Sequence, residues 1–122
     1  MPRLYSLAAA RDFVPLLREH VAGLIAVRAD LAEARLAVQR GEEPVGGIPE
    51  MKALEARLQE AIDWFPAQGL QLKGIAPVIV DFPSTLHGEP ALLCWLEGEL
   101  DLAWYHRPEV GFLGRRPLPP DA

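Results

Sequence analysis

The chain has 122 residues and a mass of 13.4 kDa, with half of its residues hydrophobic and 24% charged, which describes one folded domain able to hold a core unaided and lying outside the disordered range. No apolar run approaches the roughly 18 to 20 residues that cross a bilayer, and the opening "MPRLYSLAAARDF" lacks the apolar core of a signal peptide, so no membrane association and a cytoplasmic location are expected. A single cysteine, Cys94, excludes an internal disulfide and fits a reducing compartment, while a net charge of −5 counts against nucleic acid as a partner.

The first half reads as helix. Ser6 is placed to cap an opening turn. Apolar or small residues then recur as Phe13, Leu17, Leu24, Val27, Leu31, Ala34 and Val38, with His20 filling the missing place. This spacing of four and three predicts one long helix with a coiled-coil-like stripe. Val14, Val21 and Ile25 widen the stripe toward the N-terminal end. Pro15 suits the first turn of the long helix, the alternative being a kink near residue 14.

"GEEPVGGIPE", Gly41 to Glu50, ends that helix, with Gly41 suited to the left-handed position after it. A second helix is expected from about Pro49, carrying Met51, Leu54, Leu58, Ala61, Ile62 and Phe65 on one face until Pro66 and Gly69 stop it. So short a connection makes the pair an antiparallel hairpin over about residues 7 to 68. Folding about the loop sets residue 38 opposite about 51, and His20 near the Phe65 to Gly69 end.

From about residue 74 to 118 the period changes to that of a small β-sheet with a C-terminal loop. "GIAPVIVDF" is β-branched and contains a proline, which suits a sheet edge or the start of a strand. "ALLCWLEGELDLAWYH" reads as a hairpin turning at Gly98. A two-residue turn there groups Leu93 and Trp95 with Leu100, Leu102 and Trp104 on the core face. It leaves Leu92, Cys94, Asp101, Ala103 and Tyr105 on the other face, whereas a three-residue loop reverses the grouping. The final "PLPPDA" reads as an extended tail.

The helical pair followed by "VDFP", "LCW", a "GE" turn, "WYH" and "GFLGRRPL" resembles the bacterial family called domain of unknown function 2203, with "LYSLAAARDFVPLLREHV" matching its opening. The resemblance covers nearly the whole chain and is most specific from Val80 to Leu118. It implies a bacterial cytoplasmic protein of helix-plus-sheet type and supplies no activity and no catalytic residues. Arg116 stands where the family usually has glutamine.

Two groups of residues carry candidate chemistry. His106 and Glu109, joined by His20, Asp81 or Cys94, have the ligand types of a divalent transition-metal site. Pro108 argues against a helical turn aiming His106 and Glu109 together, and no CxxC or HExxH supports them. The ordinary alternative is a strand-end histidine bonded to backbone, with His20 a register-fixing polar residue and Cys94 a small packed one. "GFLGRRP" offers glycines with Arg115 and Arg116, which together with Arg107 and Tyr105 form a candidate anion-binding edge. Its alternative is a chain reversal anchored by Phe112, with the arginines paired to carboxylates. The stretch has neither GxxxxGK[ST] nor GxGxxG and is no nucleotide loop.

The sequence therefore predicts an α+β domain, a long antiparallel helical hairpin beside a small antiparallel β-sheet. Its expected role is that of a non-enzymatic binding or interaction module that forms a homodimer, with an unidentified protein or a small anionic ligand as further partner and no cofactor. The rival is a small metal-dependent, hydrolase-like enzyme built around His106 and Glu109, with Asp81 as ligand or base.

Overall fold

The computed structural model describes residues 3–122. Two helices, α1 (Leu7–Gln39) and α2 (Gly47–Ala67), precede five strands: β1 (Gln71–Ile75), β2 (Val78–Leu86), β3 (Glu89–Leu96), β4 (Trp104–His106) and β5 (Arg116–Pro117). The strands form one antiparallel sheet in the order β1-β2-β3-β4-β5, so the chain has the α+β arrangement its two periodicities predict. The expected antiparallel helical hairpin is also present. Among the described residues, no helix is long and apolar enough to cross a membrane.

Local chemistry sets the helix ends. The Ser6 hydroxyl accepts from the Ala9 N–H at 3.0 Å and caps α1. At its other end the Glu42 N–H reaches the Ala37 carbonyl and the Gly41 N–H that of Val38. This paired closure requires a left-handed residue, and Gly41 supplies φ 73° without a Cβ clash. Gly69 closes α2 in the same way at φ 74°, with Leu70 bonded back to Phe65 and Gly69 to Pro66. Pro15, expected in the first turn of the long helix, instead lies inside a continuous α1, because Ser6 starts the helix two turns earlier.

The chain divides into two compact units, one running from Arg18 to Trp64 and the other comprising the residues up to Leu17 and from Phe65 onward. The helical unit buries Val21, Leu24, Leu31, Ala34 and Leu54. His20 bonds the Ala61 carbonyl at 3.0 Å and stacks on Trp64 with centroids 3.8 Å apart, within about one helical turn of its expected place. Arg35 and Glu55 approach to 3.9 Å nearer the loop.

The sheet unit has its aromatic core on one face of β2. Val78, Val80, Phe82, Ser84 and Leu86 alternate inward along that strand, joined by Leu93 and Trp95 of β3. Tyr5, Phe13 and Phe82 close a triangle of edge-to-face rings, 5.1 to 6.2 Å between centroids. Tyr5 is held further by its hydroxyl, which donates to Gln68, and by its carbonyl, which accepts from Ser84 at 2.6 Å.

Three features of the sheet differ from expectation. The "VIVDF" run is an inner strand, between β1 and β3, and not an edge. Its prolines are accommodated because Pro77 sits in the preceding turn and Pro83 lies beyond the end of β1, which reaches only Asp81. The Pro83 carbonyl accepts from Tyr5 on that open side, so the missing N–H costs no ladder bond. Second, β2 and β3 form a hairpin through His87 and Gly88, both at positive φ, as a tight two-residue turn requires.

Third, the turn expected at Gly98 is a longer loop, residues 97–103, and β4 pairs with β3 in the opposite parity. Leu93 faces Tyr105 and Cys94 faces Trp104, so Trp104 shares a face with Cys94 and not with Trp95. The cause lies in loop bonds that no strand pattern contains. Trp95 Nε1–H donates to the Glu99 carbonyl, the Glu99 carboxylate accepts from the Leu96 N–H, and Arg11 of α1 donates to the Leu102 carbonyl. Leu102 is buried as an anchor while Leu100 stands exposed.

Candidate functional site

The reversed parity builds a second interior on the other face of the sheet. Asp81 of β2 lies opposite Cys94 of β3, Cys94 opposite Trp104 of β4, and His106 two residues further along β4. Side chains two apart on a strand share a face, so Asp81, Cys94 and His106 converge. Their candidate ligand atoms all lie within 4.8 Å of one another, and the three residues are only 0 to 2% exposed.

Within the group, His106 Nε2 lies 3.0 Å from Asp81 Oδ2 and Nδ1 lies 2.9 Å from the Arg107 carbonyl. A carbonyl only accepts, so Nδ1 carries a proton and donates it. The remaining proton lies between Nε2 and Oδ2, and on either atom it leaves the pair without net charge. Asp81 Oδ1 has no hydrogen-bond partner, although it is buried. An orphaned carboxylate oxygen in so dry a place calls for an explanation.

Burial, reinforced by the neighbouring Asp81 charge, pushes the Cys94 thiol up to about 12 against the lowering pull of Arg115. The thiol is therefore protonated at neutral pH and is not a ready nucleophile. An unfolded thiol ionises near 9.0, so the stability tied to Cys94 is fully present below that pH and is lost as pH rises toward 12. The unfolding free energy of the wild type, from urea denaturation, should fall above pH 9 more steeply than that of Cys94→Ala, by about 1 kcal/mol per pH unit at most. Equal slopes in the two proteins would show that the folded thiol ionises normally.

Arg115 lies over this face. Its guanidinium is 4.8 Å from the centre of the Trp104 ring and 5.4 Å from that of Phe112, and it donates to the Cys94 carbonyl at 3.1 Å and to the Glu99 carboxylate. One side chain thus ties the 97–103 loop to the loop that follows β4. Neither Glu99 nor this bracing is visible from spacing, since Glu99 reads as a turn residue. Arg107 donates from Nη1 to the carbonyls of Leu86, Glu89 and Pro90 at 3.0 to 3.3 Å and lies 5.6 Å from the Tyr105 ring centre. Arg116 is exposed on β5.

The sequence candidates thus separate. His106 and Asp81 are brought together, with Cys94 as third member. Glu109 lies exposed on the turn after β4, where the Val110 N–H bonds back to Arg107, and His20 has Ala61 and Trp64 as its partners. Tyr105 shares the opposite face of the sheet with Leu93.

These features define an α+β chain in which a helical hairpin precedes a five-stranded antiparallel meander, with a buried aspartate–cysteine–histidine group on one face of the sheet. Residues 3–118 match the model of the family described as "Uncharacterized conserved protein (DUF2203)", and the chain belongs to that family. No curated protein and no solved structure matches it.

Proposed function

We propose that the chain is a non-enzymatic interaction module that self-associates through the loops at the C-terminal side of its sheet. The observation that carries this reading is the display of large apolar side chains on the two loops braced by Arg115. Leu100, Val110, Phe112 and Leu113 are all exposed, Leu113 at 99%. Isolated apolar side chains are ordinary at surfaces, but four on two connected loops resemble a contact patch.

A second copy is the favoured partner because the same segment carries charges of both signs. Asp101 and Glu109 on the loops and Arg116 on β5 are exposed, so a two-fold pairing sets opposite charges against each other around the apolar residues. A small anion at Tyr105, Arg107, Arg115 and Arg116 has less support, since it would compete with the carbonyl and carboxylate bonds of Arg107 and Arg115. A hydrolase around His106 and Glu109 also has less support, because His106 is buried while Glu109 faces solvent. A cytoplasmic setting fits a free thiol at Cys94.

The test is the mass of the untagged chain in solution, measured by light scattering across a concentration series. The wild type should be a dimer, and Val110→Asp with Leu113→Asp should be a folded monomer of unchanged circular dichroism. A monomeric wild type, or a double variant that stays dimeric, would remove this reading.

A further inference from the structure

The geometry points to a buried binding site for one zinc-class divalent transition metal, formed by Asp81, Cys94 and His106, which clips β2, β3 and β4 together. Three observations on the sheet unit converge on it. The ligand atoms already lie within 4.8 Å of one another, while tetrahedral coordination at bonds of about 2.0 to 2.3 Å sets ligands roughly 3.3 to 3.8 Å apart. Loading therefore needs only a modest contraction by short side chains.

His106 is also oriented as a ligand. Its Nε2 faces the group, while its Nδ1–H donates to the Arg107 carbonyl at 2.9 Å. That outer bond fixes the tautomer and aims the other nitrogen's lone pair, which is how metal-bound imidazoles are usually held. The third observation is Asp81 Oδ1, an acceptor on a residue 1% exposed that finds no partner in the protein. A cation gives Oδ1 the partner it lacks.

A divalent ion held there would meet one thiolate, one carboxylate and one neutral imidazole, so its two charges are balanced by its own ligands. One sulfur, one nitrogen and one oxygen ligand suit zinc, cobalt(II) or iron(II) and not magnesium or calcium, which take oxygen alone.

The site is a clip and not a reaction centre. None of its three residues is more than 2% exposed, so a substrate has no approach, and metal is expected to enter as the sheet closes during folding.

The experiment is to refold the untagged full-length chain from denaturant with cobalt(II) or zinc(II), remove excess ion, and measure metal per chain and the absorption spectrum. One ion per folded chain is expected, with a thiolate-to-cobalt charge-transfer band, a raised thermal midpoint, and no uptake of magnesium. Cys94→Ser keeps the Asp81–His106 pair and hence the fold. It should abolish the band and weaken metal retention by more than about 100-fold, a larger loss than outer-shell changes give. Asp81→Asn, which keeps the side-chain shape, should weaken retention similarly. A natively folded chain that retains no stoichiometric cobalt or zinc would overturn the site, as would retention that Cys94→Ser leaves unchanged. The measurement reads the same on monomer or dimer, so its failure and that of the self-association reading are distinguishable.

Discussion

His106→Ala, studied in the presence of a chelator, should destabilise the chain by about 3–5 kcal/mol at neutral pH. The variant leaves the Asp81 carboxylate buried without its imidazole partner, and Oδ1 has no hydrogen-bond partner to begin with. Removing one half of a buried pair costs far more than the pair is worth, because the remaining charge keeps its desolvation penalty. Asp81→Ala/His106→Ala should cost less than the sum of the two single changes, by about 1–3 kcal/mol. Urea denaturation of all four proteins provides the check, and strict additivity would show that the two side chains are not coupled.

Phe82→Ala should cost a similar amount, about 3–5 kcal/mol, by a different mechanism. Phe82 is fully buried and faces Tyr5 at 5.1 Å and Phe13 at 6.2 Å between ring centres. Removing it leaves a cavity and breaks two of the three edge-to-face contacts that join the Tyr5 segment and the start of α1 to β2. Phe82→Leu, which fills most of the space, should cost no more than about 1.5 kcal/mol. The two midpoints at unchanged m-value are the measurement. A loss below about 1 kcal/mol for Phe82→Ala would mean that the neighbouring rings collapse into the gap.

The two predictions concern opposite faces of one sheet, and the faces were unequally legible. That Phe82 is core follows from the alternation of Val80, Phe82 and Ser84 within a single strand, a pattern written in adjacent residues. That His106 meets Asp81 and Cys94 depends on which residues of β3 and β4 stand opposite each other. The sequence pattern favours a two-residue turn at Gly98, which aligns Trp104 with Trp95. In the structure residues 97–103 form a loop pinned by Glu99 and Leu102, and a shift of parity carries every β4 side chain to the other face. The ligand types of the group were recognisable one by one in the sequence, but spacing put Glu109 first as the partner of His106 and Asp81 only among the residues that could join them. Only strand pairing separates them. The His87-Gly88 hairpin was the overlooked local signal, a two-residue turn able to hold positive φ between two β-branched or apolar runs.

By itself, then, the sequence determined the elements whose causes are local. These are two helices ended by Gly41 and Gly69, a change from helix to strand beyond Gly69, and the free thiol at Cys94. Helix periodicity and caps involve bonds between residues three to five apart, so a short window contains their whole cause. The tertiary structure alone decided the parity of β3 against β4, the gathering of Asp81, Cys94 and His106, and the bracing of two loops by Arg115. Each of these joins residues 10 to 25 apart in the chain, and a single residue's difference in loop length between them exchanges the buried and exposed faces.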